Sequence, residues 1–132
     1  MRVLIVDSDQ ELLEILQSFM SKCGHEAEVA TNGLECLDIL REFPPEVLVL
    51  EEELLWGGCE NILALMSEDP VLNQIPTILI GDDDPHRSLT LALRKQVFKS
   101  LRKPFPLGDL EACIDAAGQS AKALHTMRLP VS

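Results

Sequence analysis

The sequence predicts one α/β domain, a doubly wound, five-stranded parallel sheet with helices on both faces. Strand-like apolar runs alternate five times with segments of helical periodicity over short links, and parallel neighbours need helical crossovers of that kind. The length, 132 residues with 46% apolar content, is enough to bury one core and too short to suggest a second domain.

The first element is Val3-Leu4-Ile5-Val6, an apolar run ending in Asp7-Ser8-Asp9, as expected of a strand buried on both faces that opens at its C-terminal end. A helix follows through Leu12, Ile15, Leu16 and Phe19, with Ser8 or Asp9 as its cap and Cys23-Gly24-His25 as a glycine stop. Glu28-Val29-Ala30 reads as the second strand, and Thr31-Asn32-Gly33 turns into a helix through Leu34, Leu37 and Leu40 that Pro44-Pro45 cannot continue. Val47-Leu48-Val49-Leu50 is the third and most apolar strand. The alternation repeats with a helix near Glu60 to Met66, the strand Thr77 to Ile80, a helix from Pro85 to about Lys95 and the strand Val97 to Leu101. A last helix is expected from about Leu107 to His125. The domain is placed at 1–121, with 122–132 as the end of that helix and a frayed tail from Met127 onward.

Charge and composition exclude several functions. With 22 acidic against 11 basic residues the net charge is -11, which repels nucleic-acid backbones and anionic membranes, so neither is an expected partner. Apolar runs are strand-length, well short of a membrane span or a secretory segment, and the protein is expected in the cytoplasm. Cys23, Cys36, Cys59 and Cys113 form no C-x-x-C pair and read as reduced, mostly buried thiols. His25, His86 and His125 lie far apart in the chain, and their spacing indicates neither a metal site nor a phosphorelay histidine.

In a doubly wound sheet, function gathers at the C-terminal strand ends. Strand one delivers Asp7, Ser8 and Asp9; strand three delivers Glu51, Glu52 and Glu53; strand four delivers Gly81 and Asp82; strand five leads into Lys103-Pro104-Phe105. Val3 to Asp7, Asn32-Gly33, the acid ending strand three and Lys103-Pro104-Phe105 together resemble the receiver domain of two-component response regulators, over about residues 1 to 121. The resemblance implies a flavodoxin-like, receiver-type fold. It also implies a third-strand carboxylate that takes a phosphoryl group from a histidine kinase, helped by Mg²⁺ on an acidic pair after strand one.

Against that pattern the working positions are altered. The phosphoacceptor position falls on Glu51, one methylene longer than aspartate, and misplacement by about 1 Å costs in-line phosphoryl transfer roughly 10²-fold in rate. Ser8 stands where the second metal-binding acid belongs, so no cofactor is expected and Mg²⁺ binding should be weak or absent. Gly81 replaces the strand-four hydroxyl that senses the phosphoryl group, and Ser100 replaces the aromatic that switches inward. Lys103 is intact, and the longer Glu51 is expected to reach it, placing a fixed negative charge near where a phosphorylated aspartate would carry its own.

The acids beside the pocket admit a residual metal set of Asp7, Asp9 and Asp82, although Asp84-Pro85 reads more simply as a helix cap followed by proline at the first helical position. Trp56, in the loop Leu55 to Gly58 where the family carries a proline, is a partner anchor or a lid over the pocket. Arg87, Arg94, Lys95, Lys99 and Arg102 gather positive charge on helix four and strand five, suiting an acidic partner surface or a second copy of the chain. The reading that follows is a non-enzymatic pseudo-receiver that acts through contact with a signalling protein, a histidine kinase among the candidates. The alternatives are a phosphorylatable receiver of a phosphorelay and, in another class, a small metal-dependent hydrolase built on Asp7. The last lacks a nucleophile paired with a base.

Overall fold

The computed structural model describes residues 1–54, 58–82 and 89–128, with 122–128 described as helix backbone only. The elements are β1 (Arg2–Val6), α1 (Gln10–Lys22), β2 (Glu26–Ala30), α2 (Gly33–Glu42), β3 (Val47–Glu51), α3 (Gly58–Glu68), a single 3-10 turn (Leu72–Gln74), β4 (Thr77–Gly81), α4 (Leu91–Arg94), β5 (Val97–Arg102) and α5 (Leu107–Arg128). The five strands form one sheet in the order β2-β1-β3-β4-β5, every pair parallel.

Two-residue periodicity divides the strand side chains between two cores. Leu4 and Val6, Leu48 and Leu50, and Leu79 pack against Cys36 and Leu40 of α2 and Ile62, Leu63 and Met66 of α3. On the other face, Val3 and Ile5, Val47 and Val49, and Ile78 and Ile80 meet Leu13, Leu16 and Met20 of α1 and Leu110, Ile114 and Ala117 of α5. Between their ends, Val3 to Val6, Val47 to Leu50 and Ile78 to Ile80, the central strands are apolar throughout because both of their faces are covered.

Helix ends follow local chemistry. The Asp9 carboxylate accepts from the Leu12 amide, and the Asn32 side chain accepts from the Glu35 amide, so each caps its helix. At the end of α1, Gly24 has φ +88°, the His25 amide donates to the Met20 carbonyl at 3.0 Å and the Gly24 amide to that of Ser21 at 3.1 Å. This paired arrangement ends the helix and turns His25 back toward the sheet.

Several boundaries and faces differ from expectation. Ile15 and Leu34 face solvent at 53% and 62% exposure, and the buried faces of α1 and α2 run through Leu13, Leu16 and Met20 and through Gly33, Cys36 and Leu40. Within the described part of the expected helix from Pro85 to Lys95, Leu89 and Thr90 are not helical and the Thr90 hydroxyl caps α4 by accepting from the Leu93 amide at 3.3 Å. The Asp84-Pro85 cap lies outside the described residues. β2 begins at Glu26, two residues earlier than its apolar centre, since an edge strand exposes one polar row. α5 extends through Met127 and Arg128, residues assigned above to the tail. Cys23 is exposed and Cys113 half-buried, so only Cys36 and Cys59 are buried thiols.

Candidate functional site

β1 and β3 are neighbours in the sheet although β2 lies between them in the chain, so the order of connection reverses beside them. Their C-terminal ends therefore flank the crevice in which doubly wound sheets place their sites. Asp7 follows β1, fully buried, and Glu51 closes β3. Lys103 arrives from the end of β5, held by its amide donating to the Gly81 carbonyl at 2.6 Å.

The three side chains meet. Lys103 Nζ lies 2.7 Å from Asp7 Oδ2 and 3.4 Å from Glu51 Oε1, while Asp7 Oδ1 accepts from the Asp9 amide at 2.9 Å. Glu51 Oε2 accepts twice from Ser8, from its amide at 3.0 Å and its hydroxyl at 3.1 Å. Every carboxylate oxygen of Asp7 and Glu51 thus has a donor. Partial burial disfavours the Lys103 ammonium, but the hydrogen bond and charge of Asp7, with the charge and weaker hydrogen bond of Glu51, outweigh it and hold the Lys103 pKa above its ordinary value.

The expected Glu51-Lys103 contact is present, but it is the longer of the two ion pairs at Lys103 and the lesser part of what holds Glu51. Ser8 was singled out only for the acid it replaces. In the fold its hydroxyl is the partner of the longer Glu51 side chain, a pairing that two acids at these positions would have opposed by charge repulsion. Asp7, Asp9 and Asp82 do not gather as a trio with ligand oxygens within 4.8 Å of one another, because Asp9 turns to the Leu12 amide and Asp82 is exposed on a cleft with Leu12, Lys103, Pro104, Phe105 and Leu107.

The model of the response regulator receiver domain family matches residues 3–115. The chain belongs to that family. Among curated relatives, the response regulator MprA of Mycobacterium avium is 30% identical over 113 residues, covering 85% of this chain and 48% of its own. The transcriptional regulatory protein PrrA of Mycobacterium tuberculosis is 28% identical over 116 residues, covering 87% and 48%. The chain therefore spans about half the length of these relatives. In fold it is similar to a response regulator receiver domain from Clostridium thermocellum, with a TM-score of 0.82 at 22% identity over 93% of this chain and 98% of the other.

Within this receiver domain, Gly81 is buried at the end of β4 and acts through its carbonyl, and Ser100 lies half-buried in β5 opposite Leu79. Arg94 donates to the Leu89 carbonyl at 3.1 Å and Arg102 to the Asp82 carbonyl at 3.2 Å, while Lys95 and Lys99 are exposed. The same two elements, α4 and β5, also expose two apolar groups, Leu91 at 77% and Phe98 at 39%. Phe98 sits at the irregularity where the β4-β5 register shifts between Thr77 and Ile78. Trp56 and Arg87 lie outside the described residues.

One grouping was invisible in the sequence. His25 Nε2 lies 3.6 Å from both Glu111 Oε1 and Asp115 Oδ1, at the opposite end of the sheet from the Asp7 pocket. Only the four-residue spacing of the two acids on α5 was legible beforehand, and nothing near His25 pointed to them.

Proposed function

We propose that this receiver domain signals by protein-protein contact without accepting a phosphoryl group. The observation that carries the reading is the engagement of Glu51, whose two carboxylate oxygens are taken by Ser8 and Lys103. A nucleophilic carboxylate must present a free oxygen in line with the incoming phosphorus. Mg²⁺ binding is weak in this reading, since Asp7 is the single carboxylate left of the usual pair and both its oxygens already serve other donors.

With Glu51 held beside Lys103 in the resting protein, a negative charge stands permanently in the pocket. The signal then passes through the face formed by α4, β5 and α5, where Lys95, Lys99, Arg94 and Arg102 suit an acidic partner and Leu91 and Phe98 supply apolar contact. The partner is a signalling protein, a histidine kinase or a second copy of the chain. Direct contact with nucleic acid does not suit a net charge of -11. PrrA is named a transcriptional regulatory protein, but the match covers less than half of it.

Incubation with acetyl phosphate and Mg²⁺ followed by intact-mass measurement tests the proposal. No mass gain is expected of the wild type, whereas the double variant Ser8→Asp, Glu51→Asp should acquire one phosphoryl group. A stable acyl phosphate on the unaltered chain would overturn the reading.

A further inference from the structure

His25 owes its position to the glycine-ended turn after α1, which carries its ring in under α5, leaving the side chain 7% exposed. Nδ1 lies 3.2 Å from the Met1 amino nitrogen. Nε2 is buried and has no hydrogen-bond partner. A polar atom in that condition costs free energy unless something satisfies it.

What faces it is Glu111 and Asp115, one helical turn apart on α5, their side chains 27% and 45% exposed. Each offers an oxygen 3.6 Å from Nε2, beyond the roughly 2.7–3.2 Å of a good N–H···O bond. Three ligands about 2.0–2.2 Å from one tetrahedral cation stand roughly 3.3–3.6 Å apart, and Nε2 lies at the upper end of that spacing, 3.6 Å, from each of the two carboxylate oxygens. All three ligand atoms lie within 4.8 Å of one another, and no other such group of three occurs among the described residues.

We propose that His25, Glu111 and Asp115 form a site for a zinc-class divalent transition metal ion, open to water at its fourth position, that fastens the α1-β2 turn to α5. One imidazole with two carboxylates suits Zn²⁺ or Co²⁺, and hard Mg²⁺ gains little from an imidazole. Coordination through Nε2 puts the single imidazole proton on Nδ1, which faces the Met1 amino nitrogen at 3.2 Å, so binding releases a proton to solvent. The site lies at the N-terminal end of the strands, so it neither uses nor requires the Asp7 pocket.

Titration calorimetry of the Cys23→Ser protein with ZnCl₂ tests this without interference from the exposed thiol. One ion per chain is expected, with a micromolar Kd and a rise in Tm of roughly 5 °C at saturation. MgCl₂ should produce neither. His25→Gln and Glu111→Gln should each weaken Zn²⁺ binding at least tenfold. Asp115→Asn, at a more exposed position, gives the same test should the histidine variant fail to fold. Zinc should also shift the His25 ring nitrogens in NMR spectra, with Nε2 the coordinated atom. Absence of one-to-one binding to the folded protein, or binding that survives the Glu111 and Asp115 substitutions, would overturn the assignment. Either result leaves the phosphoryl-transfer test unaffected.

Discussion

Replacing Lys103 by methionine leaves the fully buried Asp7 carboxylate with the Asp9 amide as its remaining described partner. Removing one member of a buried pair strands the other charge, and because Lys103 keeps 19% exposure the expected loss is about 2–4 kcal/mol, read from urea unfolding at pH 7. The same lysine has a pH signature. Its folded pKa is raised, so its stabilising contribution is complete below the unfolded value near ~10.4 and disappears as pH rises through the folded value. The methionine variant should therefore show a smaller fall in urea midpoint above about pH 10 than the wild type. Lys103 and its acidic neighbours were legible in the sequence because their residue types are distinctive at strand ends. The Ser8-Glu51 pairing was not, because a serine is read by what it replaces until a partner is seen within hydrogen-bonding distance.

At the level of the elements, the apolar period of α1 and α2 marked both as helices but overstated their buried faces. Each helix carries more apolar residues than its contact face can cover, and only packing decides which are left out. Leu16→Ala, at a position with no exposure, should cost about 2–5 kcal/mol, whereas Ile15→Ala beside it should stay within roughly 0.5 kcal/mol. Paired denaturation curves check both. The short α4 depends on its cap, so Thr90→Ala should cost about 1 kcal/mol and raise amide exchange at Leu93. The fourth helix was expected to start at a proline because the Asp-Pro step is a strong local signal, yet Leu89 is buried in the core beside α3, and the chain enters that helix from Thr90 instead.

Across the whole molecule, the two-sided core sets the alkaline limit of stability. Burial pushes the Cys36 thiol up to about 12, and burial followed by the charges of Glu52 and Glu60 pushes Cys59 up to about 11. Above about pH 9 the unfolded chain loses thiol protons that the fold retains, so stability falls as pH climbs toward the folded values. For Cys36 alone the loss should reach about 3 kcal/mol by pH 11. Cys36→Ala should start from a lower stability but decline less steeply between pH 9 and 11, as followed by urea midpoints. Among the described residues no helix is long and apolar enough to cross a membrane.

The sequence by itself determined the class of sheet, the alternation of elements and the residues at the strand ends, because these rest on periodicity, caps and turns within a few residues of each other. Resemblance at those ends was enough to place the chain among receiver domains before any geometry was known. Only the tertiary structure decided which apolar residues are buried, that Ser8 holds Glu51 while Lys103 pairs more closely with Asp7, and that His25 meets Glu111 and Asp115. Those facts join residues 43, 96 and about 90 positions apart, and distances of a few ångströms across such separations follow from how helices settle on the sheet, which no local pattern encodes.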